Sequence, residues 1–177
     1  MGGREAICVK IEPIVTERLR LRGITAADSL FAIGIWNDPT MGEYLPDEAM
    51  EEIDPEYLRM IEALGEDEEC CYLIAEDKTT HERIGTCSFI PSGGVYDIAY
   101  CVHRDHQRQG YATEMAKGMA DYAKSQGASA LTIRVNKENT ASNRVAEKLG
   151  CKIVGEKRYK KRGTDLEFAD WLYELRF

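Results

Sequence analysis

The stretch Gln107-Arg108-Gln109-Gly110-Tyr111-Ala112 joins a β-rich run that ends near Val102 to a helical pattern that begins at Tyr111. A glycine here lets the backbone approach a ligand closely, and the free N–H groups of a first helical turn carry the positive end of the helix dipole. Arg108 adds a charged hydrogen-bond donor beside them. The segment therefore predicts a strand, a tight turn and a helix whose N-terminus could hold a pyrophosphate. Similar six-residue strings also occur in turns that bind no ligand, so other parts of the sequence are needed to predict whether this turn binds one.

The spacing of apolar residues along the chain predicts alternating strands and helices. The clearest helix covers residues 111–127, because small and apolar residues recur there at helical spacing while charged residues face the other way. Asp54-Pro55 predicts the start of another helix, since proline suits the first helical position. The predicted strands cover residues 19–24, 70–76, 83–90, 95–102, 131–135, 152–160 and 166–177, and the predicted helices cover residues 25–37, 54–64, 111–127 and 140–149. The predicted order is βαα, βββ, α, β, α, ββ.

Length and composition indicate one folded unit. A chain of 177 residues suits one domain with a full core, and 44% hydrophobic with 31% charged residues is typical of globular proteins. No apolar run approaches the span of a bilayer, and residues 1–6 lack both the apolar core of a signal peptide and a myristoylation motif. We expect a single domain over residues 1–177 with a short N-terminal extension at 1–13, in the cytoplasm and not in a membrane.

The cysteines and histidines do not predict a metal site. Six cysteines are scattered through apolar segments without Cys-x-x-Cys spacing, so we interpret them as buried thiols. His103 and His106 lie three residues apart, but in a loop-like segment with no further soft ligands nearby. We therefore expect no metal. The cysteines are Cys8, Cys70, Cys71, Cys87, Cys101 and Cys151.

Charge is distributed unevenly along the chain. Residues 37–69, here called the acidic segment, hold thirteen acidic residues and one basic residue, so they carry −12 while the whole chain carries −8. The segment is either a solvated helical face or a negative wall that draws a cationic substrate toward the site. The basic run at residues 157–162 is too short, in an acidic protein, to indicate nucleic-acid binding. Protection of a strand edge by lysine explains it better.

Several motifs together resemble one known family. A strand, Gln-x-x-Gly-x-Ala, a helix, a second strand, then Asn139-x-x-Ser142 and Glu147-Lys148-Leu149-Gly150 resemble the GNAT superfamily of acyl-CoA-dependent N-acetyltransferases. The opening Thr16-Glu17-Arg18-Leu19-Arg20-Leu21-Arg22 and the pairing of Asn139 with Ser142 resemble its branch of ribosomal-protein N-terminal alanine and serine acetyltransferases. The resemblance runs from about residue 14 to the end and is strongest over residues 97–151.

The resemblance implies a fold and a cofactor site. The fold is α/β (α+β), a mixed and mostly antiparallel central sheet of six to seven strands flanked by about four helices, with two splayed central strands. The pantetheine arm of acetyl-CoA would enter the gap between those strands, and the pyrophosphate would lie on the backbone N–H groups of the glycine turn. Asn139 would contact the cofactor, with a helix N-cap as the alternative role. The implied cofactor-binding residues are Tyr100, Cys101, Val102, Gln107, Arg108, Gln109, Gly110, Tyr111, Ala112, Thr113, Asn139 and Asn143.

Amine acetylation needs a proton acceptor, a polarised thioester carbonyl and a proton donor for the departing thiolate. An α-amine of pKa ~8 loses its proton more readily than a lysine of pKa ~10.4. Asp97 stands where relatives often carry glutamate and is the candidate base, with a surface strand aspartate as the alternative. Many members carry a tyrosine seven residues after the asparagine, but this chain has Ala146 there. Ser142 matches a serine proposed to protonate the thiolate and is the candidate acid, with a helix cap as the alternative.

Three functions stay open at this point. An N-acetyltransferase would use acetyl-CoA and act on a protein N-terminal α-amine or on a small cationic amine, such as a polyamine or an aminoglycoside-like drug. A non-catalytic acyl-CoA-binding module would keep the cofactor site without turnover. A nucleotide-binding protein is disfavoured, because no Gly-Lys-Ser/Thr follows Gly110. Edge strands near the C-terminus would allow a homodimer.

Overall fold

A mixed sheet of eight strands forms the centre of the protein in the computed structural model, which describes residues 11–177. The strands are β1 (Ile14–Val15), β2 (Leu19–Gly23), β3 (Cys71–Asp77), β4 (Arg83–Ser92), β5 (Val95–Val102), β6 (Ala130–Asn136), β7 (Lys152–Lys160) and β8 (Glu167–Arg176). Their order across the sheet is β1-β2-β3-β4-β5-β6-β8-β7. β5 and β6 run parallel, whereas the other neighbouring pairs are antiparallel. A parallel pair needs a long connection, and a helix supplies it here.

Four α-helices cover the two faces of this sheet. They are α1 (Ser29–Trp36), α2 (Pro55–Glu62), α3 (Tyr111–Ser125) and α4 (Thr140–Lys148). Before α1, the Asp28 carboxylate accepts the Thr25 backbone N–H at 3.0 Å, which is the acidic capping arrangement expected from the sequence. Asp54 caps α2 and Pro55 takes its first position. α3 ends before Gly127, whose φ of 80° is the left-handed conformation that suits glycine.

Apolar side chains form one core on each face of the sheet. The larger core lies under α3 and α4 and includes Ile98, Met115 and Ala146. The smaller core lies under α1 and α2 and centres on Ile33 and Ile74. α1 and α2 therefore pack on the opposite face of the sheet from α3 and α4.

The fold class predicted from the sequence is confirmed. The sheet is mixed and mostly antiparallel, four α-helices flank it, and the elements follow the predicted order. One strand more than predicted is present, because β1 has two residues and is too short to leave a periodic pattern. Within residues 11–177, no helix combines the length and the apolar character that crossing a membrane requires.

The structure corrects two expectations about individual side chains. Cys70, Cys87 and Cys151 are buried as predicted, but Cys71 and Cys101 are only half-buried, and Cys8 lies outside the described residues. The basic run does lie along the edge strand β7 and the turn that follows it. Lys161, at the end of that run, is nevertheless 8% exposed, because its ammonium group donates to the carbonyls of residues 42 and 43. It therefore fastens the acidic segment to the β7–β8 turn instead of protecting an edge.

Candidate active site

A wedge opens between β5 and β6. Pairing between these strands starts at Val95 with Ala130 and ends at Ile98 with Ile133. Beyond this point β5 stays paired with β4 and β6 stays paired with β8, while the two strands no longer pair with each other. Backbone groups of a strand alternate between its two sides, so part of those at residues 99–102 point into the wedge. An extended ligand with amide groups could pair with them as a short additional strand.

The turn before α3 lies at the open end of β5. Arg108 and Gly110 have φ angles of 61° and 82°, and Gly110 precedes the first residue of α3. A positive φ is costly for a residue with a side chain, so the surrounding structure must hold Arg108 in this conformation. The helix begins without a side-chain cap, which leaves the N–H groups of its first turn for a ligand. This arrangement suits an anion such as a pyrophosphate.

Arg18 and Glu114 hold the start of α3 against the β1–β2 turn. The Arg18 guanidinium donates to the Glu114 carboxylate at 2.7 Å and to the Gln109 carbonyl at 3.0 Å. It also stacks over the Tyr111 ring, 4.2 Å from the ring centroid. Burial raises the pKa of Glu114, but hydrogen bonds from Thr16 and Arg18 outweigh it and lower the pKa overall. A charged Glu114 therefore fixes the turn that would receive the anion.

Two asparagines shape the loop between β6 and α4. Asn139 Oδ1 accepts the Ser142 backbone N–H at 3.0 Å, so the N-cap role that the sequence left open is present. Asn143 Nδ2 donates to the carbonyls of Asn139 at 2.8 Å and Asn136 at 3.1 Å. Asn143 Oδ1 accepts the Tyr173 hydroxyl at 2.9 Å. Both side chains thus have partners inside the protein, and their contact with a cofactor stays a prediction.

Ser142 and Tyr100 meet beside the wedge. Tyr100 belongs to the part of β5 that is not paired with β6, and its hydroxyl oxygen lies 2.9 Å from Ser142 Oγ. Burial raises the pKa of Tyr100 to about 12, so its phenol stays protonated at neutral pH. A protonated phenol can donate to Ser142 Oγ and leave the serine hydrogen free to point elsewhere. Ala146, at the position where the resemblance implies a tyrosine in many relatives, is fully buried in the larger core.

Asp97 lies on the opposite face of the sheet from Tyr100. Its two carboxylate oxygens accept from Thr132 Oγ1 at 2.9 Å and Arg134 Nη2 at 3.3 Å. Asp97 and Ala99 share this face because side chains alternate along β5, and Ala99 and Arg134 are exposed there. An acceptor could therefore approach the wedge from this open face, past Asp97.

The acidic segment covers part of the same face. Salt bridges join Asp38 to Arg104 and Asp47 to Arg162, which ties the segment to the α3 turn region and to the β7–β8 turn. Most of its other carboxylates are exposed to solvent. The segment is thus partly exposed to solvent and partly held down by salt bridges, and its attraction of a cationic substrate stays a prediction.

Residues 18–152 match the family model described as an acetyltransferase (GNAT) domain. This range includes the wedge, the turn before α3 and the start of α4. The chain belongs to the GNAT acetyltransferase family. It is therefore an acetyl-CoA-dependent N-acetyltransferase, as the resemblance implied.

Three similar proteins are one relative by sequence and two solved structures. The uncharacterized protein YkkB of Bacillus subtilis is 31% identical over 143 residues, which are 77% of this chain and 83% of YkkB. The structure of spermidine N-acetyltransferase from Vibrio cholerae, in complex with CoA and spermine, has a TM-score of 0.76 at 16% identity and covers 90% of this chain and 95% of that one. RimL, a ribosomal L7/L12 α-N-protein acetyltransferase, has a TM-score of 0.76 at 18% identity and covers 94% of each chain. The two solved structures share the fold of this chain.

The GNAT site fits acetyl-CoA by three features already described. The wedge offers unpaired backbone at residues 99–102, the turn before α3 offers N–H groups and Arg108, and glycine permits close approach at residue 110. Within residues 11–177, no group of three or more His, Cys, Asp or Glu side chains is arranged to hold a metal ion.

Sequence reasoning missed two contacts at this GNAT site. The pairing of Arg18 with Glu114 and the contact of the Tyr100 hydroxyl with Ser142 join residues 96 and 42 positions apart. No local pattern signals such contacts. The sequence marks Arg18 through the opening Thr-Glu-Arg motif alone, and Glu114, its partner on α3, has no periodic signal.

Proposed function

We propose that this GNAT enzyme acetylates the α-amine of a protein N-terminus, with Asp97 as base and Ser142 as acid. The observation that carries the proposal is the 2.9 Å contact between Ser142 Oγ and Tyr100 Oη beside the wedge. Ser142 matches the serine of the ribosomal-protein branch, and Ala146 takes the place of the tyrosine that many members use. The fold similarity to RimL supports the same branch.

The proposed chemistry moves two protons. Bound acetyl-CoA supplies an acetyl group on a thioester. The amine nitrogen bonds to the acetyl carbonyl carbon, and the carbon–sulfur bond breaks with its electron pair on sulfur. Asp97 takes the proton that the nitrogen loses, directly or through one water, and Ser142 gives a proton to the sulfur. An α-amine of pKa ~8 gives up its proton more readily than a lysine of pKa ~10.4, so it needs a weaker base. The short Asp97 side chain therefore favours an N-terminal acceptor.

The proposed cofactor site uses the residues named from the sequence. Backbone groups of residues 100–102 would pair with the pantetheine arm in the wedge, and the N–H groups of residues 108–113 would hold the pyrophosphate. Gln107 supports this geometry by donating to the Val102 carbonyl at 3.2 Å. Asn139 and Asn143 support it by holding the start of α4 in place.

A small cationic amine is the second candidate acceptor. The acidic segment carries −12 and borders the open face, where it would attract a polycation. The Vibrio cholerae structure of the same fold is that of a spermidine N-acetyltransferase. These two observations support testing a polyamine as an acceptor.

The domain boundaries, cellular location and oligomeric state of the enzyme are also part of the proposal. The sheet continues from Ile14 to Arg176, which supports one N-acetyltransferase domain over residues 1–177 with a short extension at 1–13. A cytoplasmic location, and a homodimer formed through C-terminal edge strands, stay predictions. β7 is an edge strand and supports the latter.

Intact-mass spectrometry of acetyl transfer tests the acceptor directly. The panel contains peptides with a free α-amine, the same peptides blocked at the α-amine but carrying a free lysine, and spermidine. Mass detection avoids thiol reagents, which would also react with the six cysteines of the protein. Labelling confined to free α-amines is the expected result.

Each other outcome has a defined meaning. Transfer to spermidine alone would replace the proposal with the second candidate. Labelling of the blocked, lysine-bearing peptides at an equal rate would contradict α-amine selectivity. Binding of acetyl-CoA with no transfer to any amine would favour a binding module.

A further inference from the structure

Arg134 on β6 contacts the candidate base at the closed end of the wedge. Its Nη2 donates to Asp97 Oδ2 at 3.3 Å, while Thr132 Oγ1 donates to the other carboxylate oxygen at 2.9 Å. The side chain of Arg134 is 48% exposed and that of Asp97 is 31% exposed. Both charged groups are therefore accessible to an acceptor that arrives on the open face.

Strand register explains why this arginine reaches the base. Asp97 pairs with Thr132. The pairing of β5 with β6 ends one step further, at Ile98 and Ile133. Arg134 is the first residue of β6 beyond that pairing, and it lies on the same face as Thr132 because side chains alternate along a strand. Its side chain thus reaches back by two residues, about 7 Å, across the point at which the wedge begins.

The surroundings leave room for an amine beside this ion pair. Ala99 is the residue of β5 one step beyond the last pair, so it stands at the level of Arg134 on the other side of the wedge, and it is exposed. A carboxylate offers about four lone-pair sites, and the two donors on Asp97 leave some of them free. An amine can therefore pass Ala99 and donate to Asp97 without displacing the guanidinium.

The neighbouring side chains of β8 do not compete for the guanidinium. Leu172 pairs with Arg134 across the two strands and carries no charge. Glu174, diagonal on one side, forms a salt bridge with Arg176 at 2.6 Å. Asp170, diagonal on the other side, is 7% exposed, and burial raises its pKa, which disfavours its charged form. The positive charge of Arg134 therefore acts mainly on the base.

A neutralised carboxylate interacts differently with charged and uncharged amines. The carboxylate and the guanidinium together carry no net charge, so an ammonium ion gains little attraction from the pair and is repelled by the guanidinium at short range. An uncharged amine is not repelled and still donates an N–H to the carboxylate. At pH 7 about one in ten α-amines of pKa ~8 is uncharged, against about one in 2,500 lysine amines of pKa ~10.4.

We propose that Arg134 is a specificity-determining residue of this enzyme: its guanidinium neutralises Asp97 where the acceptor arrives, and so selects uncharged amines over ammonium ions. This inference rests on the N-acetyltransferase function proposed above and names the charge state in which the acceptor is taken. Arg134 favours α-amines over lysine side chains, and it disfavours polyamines most, because they carry several positive charges.

Arg134→Met tests the assignment, because it removes the charge and keeps most of the length. The ratio of kcat/KM for the free α-amine peptide to kcat/KM for the blocked, lysine-bearing peptide should fall about threefold to about tenfold, a modest change because both charged groups are partly exposed. The KM for acetyl-CoA should stay unchanged. Arg134→Lys keeps the charge and should keep the wild-type ratio.

Arg176→Met is the matched control. Arg176 carries the same charge on the same face, but it is paired with Glu174 on β8 and lies two strands away from Asp97. Its loss should leave the ratio of the two peptides unchanged.

A second measurement does not depend on turnover. Calorimetry of spermidine against protein saturated with CoA should show tighter binding to Arg134→Met than to wild type, by the same factor of about threefold to about tenfold. Arg134→Lys and Arg176→Met should bind spermidine as wild type does.

The outcomes separate this inference from the function on which it rests. An unchanged peptide ratio and an unchanged spermidine affinity in Arg134→Met would overturn the role of Arg134 and leave the acetyltransferase function standing. An equal fall for both peptides, with no change in their ratio, would also overturn it, because Arg134 would then only support the shape of the site. Wild-type transfer to spermidine alone, or to no amine, would overturn the α-amine proposal and this inference together.

Discussion

Tyr100 Oη lies 2.9 Å from Ser142 Oγ, which joins the unpaired part of β5 to the first turn of α4. The contact spans the side of the wedge and brings a strand residue to a helix residue that follows the next strand. Because the pKa of Tyr100 is raised to about 12, the phenol keeps its proton and can orient the serine hydroxyl. Tyr100 is thus a positioning residue in the proposed reaction, and Ser142 is the residue that touches the reacting sulfur.

Ser142→Ala should lower kcat by about a hundredfold or more, because general acid catalysis typically contributes that much. The Kd for acetyl-CoA should stay within about twofold, since the Asn139 cap accepts from the backbone of residue 142 and not from its side chain. Steady-state kinetics with calorimetry measure both. Ser125→Ala, at the end of α3, is the control and should have no effect. An unchanged kcat would remove Ser142 from the mechanism.

Tyr100→Phe should lower kcat by about tenfold, because the ring still packs while the donor to Ser142 is lost. In the Ser142→Ala background the same change should have no further effect, which a double-mutant cycle measures. The pH dependence of kcat in wild type gives a second test. With a pKa of about 12, the Tyr100 phenol is protonated throughout pH 6 to 10, so wild type should show no loss of kcat from its ionisation in that range. Additive losses in the cycle would contradict a role through Ser142.

Asp97→Asn should reduce kcat/KM about a hundredfold or more at pH 7, since the amide cannot take the amine proton. The deficit should shrink as the pH rises toward 9, where an α-amine of pKa ~8 is already deprotonated. A pH–rate series on wild type and variant measures this. Asp121→Asn, on the surface of α3, is the control. A deficit that is the same at every pH would point to a structural role through Arg134.

Asp28→Asn should destabilise the fold at neutral pH. Asp28 is fully buried, and its carboxylate accepts from Arg22 at 2.8 Å and forms a salt bridge with Arg83 at 3.0 Å. Burial alone would raise its pKa, but hydrogen bonds from Arg22 and Thr25 outweigh burial and lower the pKa from 3.8 to about 2. This shift contributes about 2 kcal/mol, present above about pH 4 and lost as the pH falls through 2.

Urea unfolding of wild type and Asp28→Asn at pH 7 and pH 3 checks this dependence. The difference in unfolding free energy should narrow at the lower pH, where the wild-type advantage is being lost. The exposed Asp165→Asn serves as control. A difference that is independent of pH would show that packing, and not charge, is responsible.

Gly85→Ala should weaken acetyl-CoA binding and lower the melting temperature. A Cβ at this position would lie 2.2 Å from the Cys101 carbonyl oxygen, so β5 would have to shift beside the wedge. Overpacking of this kind costs about 1–3 kcal/mol. Gly23→Ala is a matched control in β2, where a Cβ would meet nothing within 4 Å. Differential scanning calorimetry with and without CoA measures both effects, and equal behaviour of the two variants would contradict this view of Gly85.

The elements of the fold were predictable because their signals are local. Each helix was predicted from residues within one or two turns of it: the helical spacing around Met115, the proline at residue 55 and the glycine at 127. The structure has helices at these places. The turn before α3 was predictable for the same reason. β1 was missed because two residues carry no period, and the path of residues 37–54 was missed because Lys161 and Arg162 fix it from more than a hundred positions away.

The candidate site was predictable only in part. Ser142, Asp97 and the glycine turn could be named through motifs, although their roles stay proposals. The partner of Ser142 arises from the way β5 and α4 pack together. Register depends on how distant strands align across the whole sheet, and a single sequence does not specify this.

Because the pairing between β5 and β6 is short, the rigidity of the sheet depends on the ligand bound in the wedge. Within residues 11–177, the pairs from Val95–Ala130 to Ile98–Ile133 are the strand pairing that joins the first five strands to the last three. A ligand that hydrogen-bonds to the free edge of β5 extends this pairing. Its binding free energy therefore also stabilises the contact between the two parts of the sheet. Release of the product would remove this extra pairing. Each catalytic cycle would then change the stability of the contact between the two parts of the sheet.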